Sequence, residues 1–424
     1  MGALKDKFAC NRFNIIVYVL AVILSAVVLI LGNRYVYDKE TMFLGGYDDG
    51  ACTAKVTEVL RQVSEDVVID GVTIGEDYII IFNCEITSGE HKGETVMAYE
   101  SVSAHDTVSL NKVKTGDRIL IIKAPYDDGG IEWYLHDFDR SIPILILGIA
   151  FCAVVLIFGR MKGVNTLISL GYTCIAVFAV FIPSVLSGHN IYLWSILTCI
   201  YIIIMTLIIT NGINKKTFAA IIGCSSGVIV SCLLTVIASK YLNLTGITGE
   251  DTIYIKQNFD IDLNALIFAG IILGSVGAVM DVSVSISSAL KEIHDQVERP
   301  TMTGLIRSGI TIGRDIMGTM ANTLVLAYIG CEMSATLLTV VYSSSLTTLF
   351  SREKIIEELL QALVGSIGLL LTIPLTAVVS SALYMGIKLL KNGKLQRQRN
   401  DKYYVEPSSE PNLFEHIEKC DDDQ

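Results

Sequence analysis

The chain has 424 residues, of which 52% are hydrophobic, and its formal net charge at pH 7 is −11. The apolar residues occur in blocks of roughly 18–25 residues, each long enough to cross the ~30 Å hydrocarbon core of a bilayer. This pattern excludes an ordinary soluble protein and predicts an α-helical polytopic membrane protein. The negative charge is concentrated in residues 33–139, which hold 9 Lys and Arg against 21 Asp and Glu. Such an acidic segment argues against binding to nucleic acid.

The first apolar block, residues 14–32, follows a basic start of 13 residues. Because the block is long and no cleavage site follows it, we interpret it as an uncleaved signal anchor behind a cytoplasmic N-terminus, residues 1–13. Residues 140–390 then form a membrane domain of about seven helices, and residues 391–424 a disordered cytoplasmic tail. About eight spans are predicted in all, with the later ones near residues 142–158, 164–186, 191–210, 217–239, 263–290, 316–342 and 359–387.

Residues 33–139 have the pattern of a small β-domain. Five β-branched or aromatic runs are separated by turn signals such as "KTGD" and "YDDGG". They predict a small barrel or sandwich, and an OB-like barrel is one form that fits. Because this acidic domain lacks the basic groove of a nucleic-acid binder, assembly or regulation is its expected role. Its two cysteines, Cys52 and Cys84, could form a disulfide outside the cell.

The short loops set the expected orientation. Those at residues 159–163 and 214–216 are basic, as is the tail that begins at Lys388. The intervening loops at residues 187–190 and 241–262 are neutral or acidic. The positive-inside rule therefore predicts that both termini are cytoplasmic and that the acidic β-domain is extracytoplasmic.

No motif points to an enzyme or to a cofactor. The sequence has no G-x-x-x-x-G-K-[ST] phosphate loop, no H-E-x-x-H zinc signature and no G-x-S-x-G elbow. Whether a metal ion binds is left open by the sequence.

Polar residues concentrate in the sixth and seventh spans. Each span carries a polar face at helical spacing, made of Asp281, Ser285, Ser288 and Glu292 in one span and of Asp315, Thr319 and Asn322, beside Arg314, in the other. Glycine patterns at Gly270-x-x-x-Gly274 and Gly309-x-x-x-Gly313 favour close helix packing. The two spans run in opposite directions around a short cytoplasmic loop, so their acids are expected at comparable depth, with Arg314 and Asp315 at the start of the seventh span. The segment "AYIGCEMSATLL", residues 327–338, is expected to break that span into a helix and a re-entrant piece.

Three roles are open to Asp281: a structural partner of Arg314, a coupling site for a proton or metal cation, or a helix-end residue in contact with cytoplasmic water. The third role is weakened by some nine apolar and small residues that follow it. Two carboxylates and one guanidinium leave a net negative site, which favours a cation. We therefore predict that Asp281 and Asp315 form the functional centre, that Arg314 organises it, and that Asn322 and Ser285 are neutral ligands.

Three long motifs and one short one resemble the YibE/F-like family of bacterial multi-pass membrane proteins. They are "GAVMDVSVSISSALKEI" from residue 277, "SGITIGRDIMGTMANTLVLAYIG" from residue 308, "EELLQALVGSIGLLLTIPLTA" from residue 357, and "WYLHDFDR" from residue 133. The resemblance implies a multi-pass protein of the bacterial plasma membrane. A transport role is a common expectation for the family, and no substrate comes with it.

Two functions are therefore weighed. A secondary transporter would use the intramembrane carboxylates to couple a cation or proton. A non-transporting scaffold or signalling protein would use the outer β-domain to bind an envelope partner, or would form a homo-oligomer. The absence of a convincing internal repeat counts mildly against the transporter. The expected partners are the lipid bilayer, a cation or proton, and an envelope protein or second copy, but not nucleic acid.

Overall fold

The computed structural model describes residues 2–36, 51–69, 72–102, 112–125 and 131–386. The predicted tail, residues 391–424, lies outside these ranges. The chain divides into two compact units, which are described separately. The barrel unit comprises residues 36–171, and the helical core comprises residues 1–35 and 172–424.

The barrel unit contains five strands that close into a barrel in the order β1-β2-β3-β5-β4. Neighbouring strands are antiparallel, except that β3 and β5 are parallel. The strands are β1 (Cys52–Ile69), β2 (Val72–Ile86), β3 (Thr95–Val102), β4 (Arg118–Pro125) and β5 (Ile131–Phe138). A closed five-stranded barrel of this order is OB-like, so the barrel is confirmed over the sandwich.

The barrel core is apolar because alternate residues of each strand point inward. On β2 these are Ile80, Phe82, Cys84 and Ile86, all buried. Glu100 interrupts the pattern, since it occupies an inward position of β3 and is only 4% exposed.

The Glu100 carboxylate accepts a hydrogen bond from the Val113 backbone N–H at 3.0 Å and one from the Tyr78 hydroxyl at 3.5 Å. Burial raises the pKa of this carboxyl above its ordinary value, although both hydrogen bonds act in the opposite direction. Through these two hydrogen bonds, Glu100 holds the segment that precedes β4 against strands β2 and β3.

Cys52 and Cys84 are not bonded to each other, which corrects the predicted disulfide. Cys84 lies opposite Val56, so Cys52 is four residues out of register with it. Four residues of strand span about 13 Å, whereas a disulfide joins Cα atoms no more than about 7 Å apart. The Cys84 thiol instead donates to the Val96 carbonyl at 3.7 Å, and burial raises its pKa to about 11.

The barrel unit continues into α2 (Ser141–Ala176), which turns back on itself at Arg160. Arg160 has φ 48° and ψ −127°, which no α-helix contains. A Cβ atom placed on Gly163 would lie 2.3 Å from the Val155 carbonyl oxygen. In a straight helix these residues would be about 12 Å apart along the axis. The predicted loop at residues 159–163 is therefore a tight turn between two helical segments.

The helical core contains α1 and most of the remaining helices. After α2 the chain forms a π-helical turn (Val177–Phe181) and the short α3 (Ile182–Leu186). The other helices are α1 (Gly2–Val36), α4 (Ile191–Asn211), α5 (Lys215–Tyr241), α6 (Glu250–Asn258), α7 (Leu263–Gln296), α8 (Met302–Cys331), α9 (Met333–Val341), α10 (Leu346–Leu349) and α11 (Glu353–Met385).

Within the described residues, six helices are long and apolar enough to cross a membrane, or seven if the bent pair α8–α9 counts as one span. The run Ser141–Leu186 counts once among them and contains the turn at Arg160. It covers the second and third predicted spans, which is why the expected total of about eight is larger.

The predicted seventh span corresponds to the bent helix pair α8–α9. The break is confirmed, because α8 and α9 meet at an angle of 70° around Glu332. The helix that carries this span begins before the predicted span start near residue 316: α8 starts at Met302, where the Thr301 side chain accepts a hydrogen bond from the Gly304 N–H. Charged residues lower the hydropathy of the first turns of α8. These turns are nevertheless helical, because one face of them packs against neighbouring helices.

Helices α5, α7 and α11 meet along a seam of small and hydroxyl-bearing residues. Gly223 packs against Thr376, and a Cβ atom placed on Gly223 would lie 3.0 Å from the Thr376 Cα. The Ser283 and Thr376 hydroxyls are 3.2 Å apart, and the Ser287 and Tyr384 hydroxyls 2.8 Å. Because small side chains let the backbones approach closely, this seam packs the three helices together beside buried aliphatic residues such as Ile286 and Leu369.

Candidate functional site

The exposed face of α7 is a stripe of glycine, serine and acidic residues. The opposite face of the helix is buried and includes Ile272, Val279, Ile286 and Leu290. Because a helix repeats every 3.6 residues, the residues facing away from this core recur at spacings of three and four. They are Gly270, Gly274, Gly277, Asp281, Ser285, Ser288 and Glu292; Ser288 is half-buried and the others are exposed.

Helix α8 likewise turns a polar face outward. Its buried residues are Leu305, Gly309, Gly313 and Leu324. A Cβ atom placed on Gly313 would lie 2.1 Å from a methyl group of Ile373 on α11, so this face is closely packed. The exposed polar and small residues on the other side are Thr311, Arg314, Asp315, Gly318, Thr319 and Asn322.

Glycines mark two contacts between α7 and α8, one toward each end of the polar stretches. At one level a Cβ atom on Gly274 would lie 2.7 Å from the Tyr328 hydroxyl, and at the other a Cβ atom on Gly309 would lie 3.0 Å from Leu290 Cδ1. Between these levels, a Cβ atom on Gly277 of α7 would meet no described atom within 4 Å. The contact between Gly309 and Leu290 joins the buried faces of the two helices, and the exposed polar faces lie on their other sides. We name these two exposed polar faces together the α7–α8 cleft.

The five residues predicted as a site lie along this cleft. Asp281 and Ser285 fall between Gly274 and Leu290 on α7, and Arg314, Asp315 and Asn322 fall between Gly309 and Tyr328 on α8. All five are exposed. The two predicted faces are therefore both exposed, on neighbouring antiparallel helices that a short connection joins.

Asp281 and Arg314 do not form the ion pair that one of the three roles for Asp281 would require. Among the described residues, no hydrogen bond or salt bridge joins Asp281 to Arg314 or Asp315. Arg314 lies 12 residues inside α8 rather than at its start. Asp281 lies 15 residues before the end of α7, about 22 Å along the helix, which is too far for a helix-end residue.

The sequence reasoning missed a second acidic group, at the start of α11. Glu358 accepts a hydrogen bond from the Thr336 hydroxyl at 3.1 Å, and Glu332 pairs with Lys354 at 3.3 Å. One carboxylate oxygen each of Glu357 and Glu358 is buried without a hydrogen-bond partner among the described residues.

The sequence "EELLQ" at the start of the third family-like motif could have revealed this group. It was overlooked because the eighth span was predicted to begin near residue 359, after the two glutamates. Gln361 of the same segment would lie 3.3 Å from a Cβ atom on Gly274. The start of α11 therefore lies beside the contact between Gly274 and Tyr328. Within the described ranges, no three His, Cys, Asp or Glu side chains are grouped so as to hold a metal ion. A tightly chelated metal centre is therefore not supported at either place.

The comparison with known families agrees with this architecture. The family model described as YibE/F-like protein matches residues 147–386, which is more than half of the chain and includes α7, α8 and α11. Neither a curated protein nor a solved structure matches the chain. With more than half of its residues matched, the chain belongs to the YibE/F-like family.

Proposed function

We propose that this chain is a multi-pass protein of the bacterial plasma membrane and that it acts as a secondary transporter, with the α7–α8 cleft as its cation- or proton-binding site. The topology in this proposal has about eight spans, both termini in the cytoplasm and the barrel outside. It is supported by the long apolar helices and by the basic short loops.

The observation that carries the proposal is the contrast between the α7–α8 cleft and the rest of the helical surface. The outward face of α5 is aliphatic, with Ile229, Leu233 and Val236 exposed, as expected for a surface against lipid. The cleft instead carries two carboxylates and a guanidinium near the middle of long helices. Charges at that depth are costly in lipid and usually belong to an ion pathway or a water-filled cavity.

Each side chain has a role in this proposal. Asp281 and Asp315 supply the negative charge that attracts a cation. Because Arg314 neutralises only one of the two carboxylates, the site keeps a net negative charge. Asn322 and Ser285 offer neutral oxygen ligands. Because the acids do not converge as a chelating cluster, a weakly held monovalent cation or a proton suits the cleft better than a tightly bound metal.

The test measures the thermal stability of the full-length protein in lipid nanodiscs across a series of Li⁺, Na⁺, K⁺ and pH. A ligand that binds only the folded state raises the midpoint by mass action. We expect one cation, or a change of pH, to raise it selectively. Asp281→Asn and Asp315→Asn should accumulate normally and lose most of this response, whereas Asp251→Asn, on the exposed α6, should retain it.

Two results would contradict the transporter. One is a wild-type protein that responds to no cation and to no pH change. The other is poor accumulation of Asp281→Asn that Arg314→Gln corrects, because that outcome makes the charges a structural pair.

A non-transporting scaffold is the second candidate, and the barrel favours it. The outward face of β2 and β3 exposes Ile79 (45%) and Met97 (49%), and the Tyr99 and Tyr134 rings lie 5.9 Å apart beside them. A face of this kind on an OB-like barrel suits a protein partner in the envelope. If cells that carry Met97→Glu behave like cells without the protein, while the purified variant keeps its response to cations, this second function is supported.

A further inference from the structure

We infer that Glu357 and Glu358, at the start of α11, share one proton and form a proton-binding site that is separate from Asp281 and Asp315. We call these two residues the glutamate pair. The site itself rests on contacts at the start of α11, and its role in coupling a proton to transport rests on the proposed function.

Each carboxylate of the glutamate pair has an oxygen that no donor reaches. One oxygen of Glu357 and one of Glu358 are buried and have no hydrogen-bond partner among the described residues. The other oxygen of Glu358 accepts a hydrogen bond from the Thr336 hydroxyl at 3.1 Å. A buried carboxylate that keeps its charge without donors is costly, and a bound proton removes that charge.

Glu353, one turn earlier in α11, shows what an ionised carboxylate requires at this end of the helix. It accepts hydrogen bonds from the Thr245 hydroxyl at 2.8 Å, from the Gly246 N–H at 2.6 Å and from the Thr245 N–H. Three donors satisfy its charge, so Glu353 needs no proton. The glutamate pair lacks such donors for one oxygen of each carboxylate within the described residues.

The charges around the glutamate pair do not balance it. Lys354 is a nearby cation, but it already pairs with Glu332 at 3.3 Å. Three carboxylates therefore share one ammonium group. Because two neighbouring buried carboxylates repel each other when both are ionised, one shared proton lowers the electrostatic cost. A proton also fits better than a metal ion, since no three His, Cys, Asp or Glu side chains in the described part of the chain are grouped to hold one.

Water can reach the glutamate pair from a neighbouring cavity. The cavity has a volume of about 330 Å³, enough for several water molecules. Thr248, which lines it, lies beside Glu357. In the proposed topology α11 begins on the extracytoplasmic side, so protons would come from that solution. The polar residues that line the cavity include Thr248, Thr339, Arg352, Glu353 and Lys354.

On its other side the glutamate pair adjoins the polar face of α7. Gln361 follows Glu357 by one helical turn, and its amide nitrogen would lie 3.3 Å from a Cβ atom on Gly274. Gly274 belongs to the same exposed stripe as Asp281, about 10 Å further along α7. The glutamate pair therefore lies between the cavity and the α7–α8 cleft, where a proton on its way to Asp281 would be held.

The first measurement is the infrared band of protonated carboxyl groups in the full-length protein, in lipid nanodiscs at pH 7. Glu357→Gln and Glu358→Gln should each lower the wild-type band by one carboxyl group per chain, because either change leaves a single acid that can ionise beside Lys354. Glu250→Gln, on the exposed α6, is the matched control and should leave the band unchanged.

Three results of this measurement overturn the inference. They are a wild type without the band, a band that persists in both variants, and a band that Na⁺ or K⁺ abolishes at constant pH. The last result would mean that the glutamate pair holds a metal cation instead of a proton.

The second measurement keeps both glutamates and changes their neighbours, so it does not depend on the folding of the first two variants. The pH at which half of the band is lost should fall by about one unit in Glu332→Gln and rise by about one unit in Lys354→Gln. The reason is that a lost negative charge makes the proton easier to release and a lost positive charge makes it harder. Equal midpoints in the wild type and both variants overturn the inference.

The response to cations and pH is recorded on the same samples, with and without Asp281→Asn, so the two proposals can fail separately. A glutamate pair that holds its proton in a protein without an Asp281-dependent response supports the site and overturns the transporter. An Asp281-dependent response in a protein without the carboxyl band supports the transporter and overturns the inference.

Discussion

The two units of this chain differ in what they bury and what they expose. The barrel buries an apolar core with one hydrogen-bonded acid, Glu100. The helical core buries hydroxyl groups such as those of Ser283 and Thr372 beside its aliphatic residues, and it exposes further aliphatic residues. In water, burial of apolar surface drives folding. In lipid that drive is absent between helices, and close packing with hydrogen bonds replaces it. In the membrane setting proposed above, the difference means that the two units of one chain fold against two different solvents.

The largest effect should come from a cavity in the barrel. Phe82 is fully buried, so Phe82→Ala should lower the free energy of unfolding by about 4 kcal/mol. The measurement is urea unfolding of residues 36–138 expressed alone, with a cooperative transition and a β-type circular dichroism spectrum expected for the wild type. Ile79→Ala, on the exposed face, is the control and should change little. An equal loss in both variants would mean that the barrel core is not where the stability of this unit lies.

In the helical core the sensitive positions should be the small ones. Gly223→Val should lower the stability of the full-length protein by about 2 kcal/mol, because the added Cβ would lie 2.9 Å from Thr376 Cβ. Thermal unfolding in nanodiscs measures it. Gly148→Ala on α2, where a Cβ atom meets no described atom within 4 Å, should be neutral or stabilising. A tolerated Gly223→Val would contradict close packing as the source of stability in this unit.

A smaller effect should follow pH through Glu100. Because its folded pKa is raised, the folded state holds the proton more tightly than the unfolded state. The contribution of Glu100 to stability is then fully present below its unfolded pKa of about 4.5 and is lost as pH rises through the folded pKa. Glu100→Gln should flatten this part of the pH dependence of unfolding for the barrel fragment. An unchanged slope would show that another group causes it.

The smallest effect should be that of a reductant. Since Cys52 and Cys84 are not bonded to each other, dithiothreitol should leave the unfolding midpoint of the barrel fragment unchanged. A native disulfide typically contributes 2–5 kcal/mol in a small domain. A clear fall in the midpoint would mean that the strand register of β1 and β2 differs from the one described.

Sequence periodicity predicted the type of nearly every element, but it predicted boundaries less well. The first β-branched run, "CTAKVTEVL" from residue 52, is shorter than strand β1, which continues to Ile69 because β1 and β2 pair well beyond the other strands as a long hairpin. Helix α8 begins before the predicted seventh span because Arg307 and Arg314 make its first turns too polar for an apolar block. Packing of Gly309 and Gly313 on neighbouring helices decides the true boundary, and such packing is invisible along one segment.

For the candidate site, helical spacing was enough to place Asp281 with Ser285 and Asp315 with Asn322. It could not show whether those faces turn toward α11 or away from it, because that depends on which opposite face is the better packed. The unpaired state of Arg314 and the buried oxygens of Glu357 and Glu358 also follow from neighbours distant in sequence. Glu100 was equally hidden, since its inward position depends on the barrel closing.

In the proposed membrane setting, the turn at Arg160 bears on how the chain would enter a bilayer. An arginine with φ 48° is strained where glycine would be relaxed. Because the turn is short, the helical segments on either side of it would enter together as a hairpin. Lengthening this turn would then disturb biogenesis of the protein before it altered the finished fold.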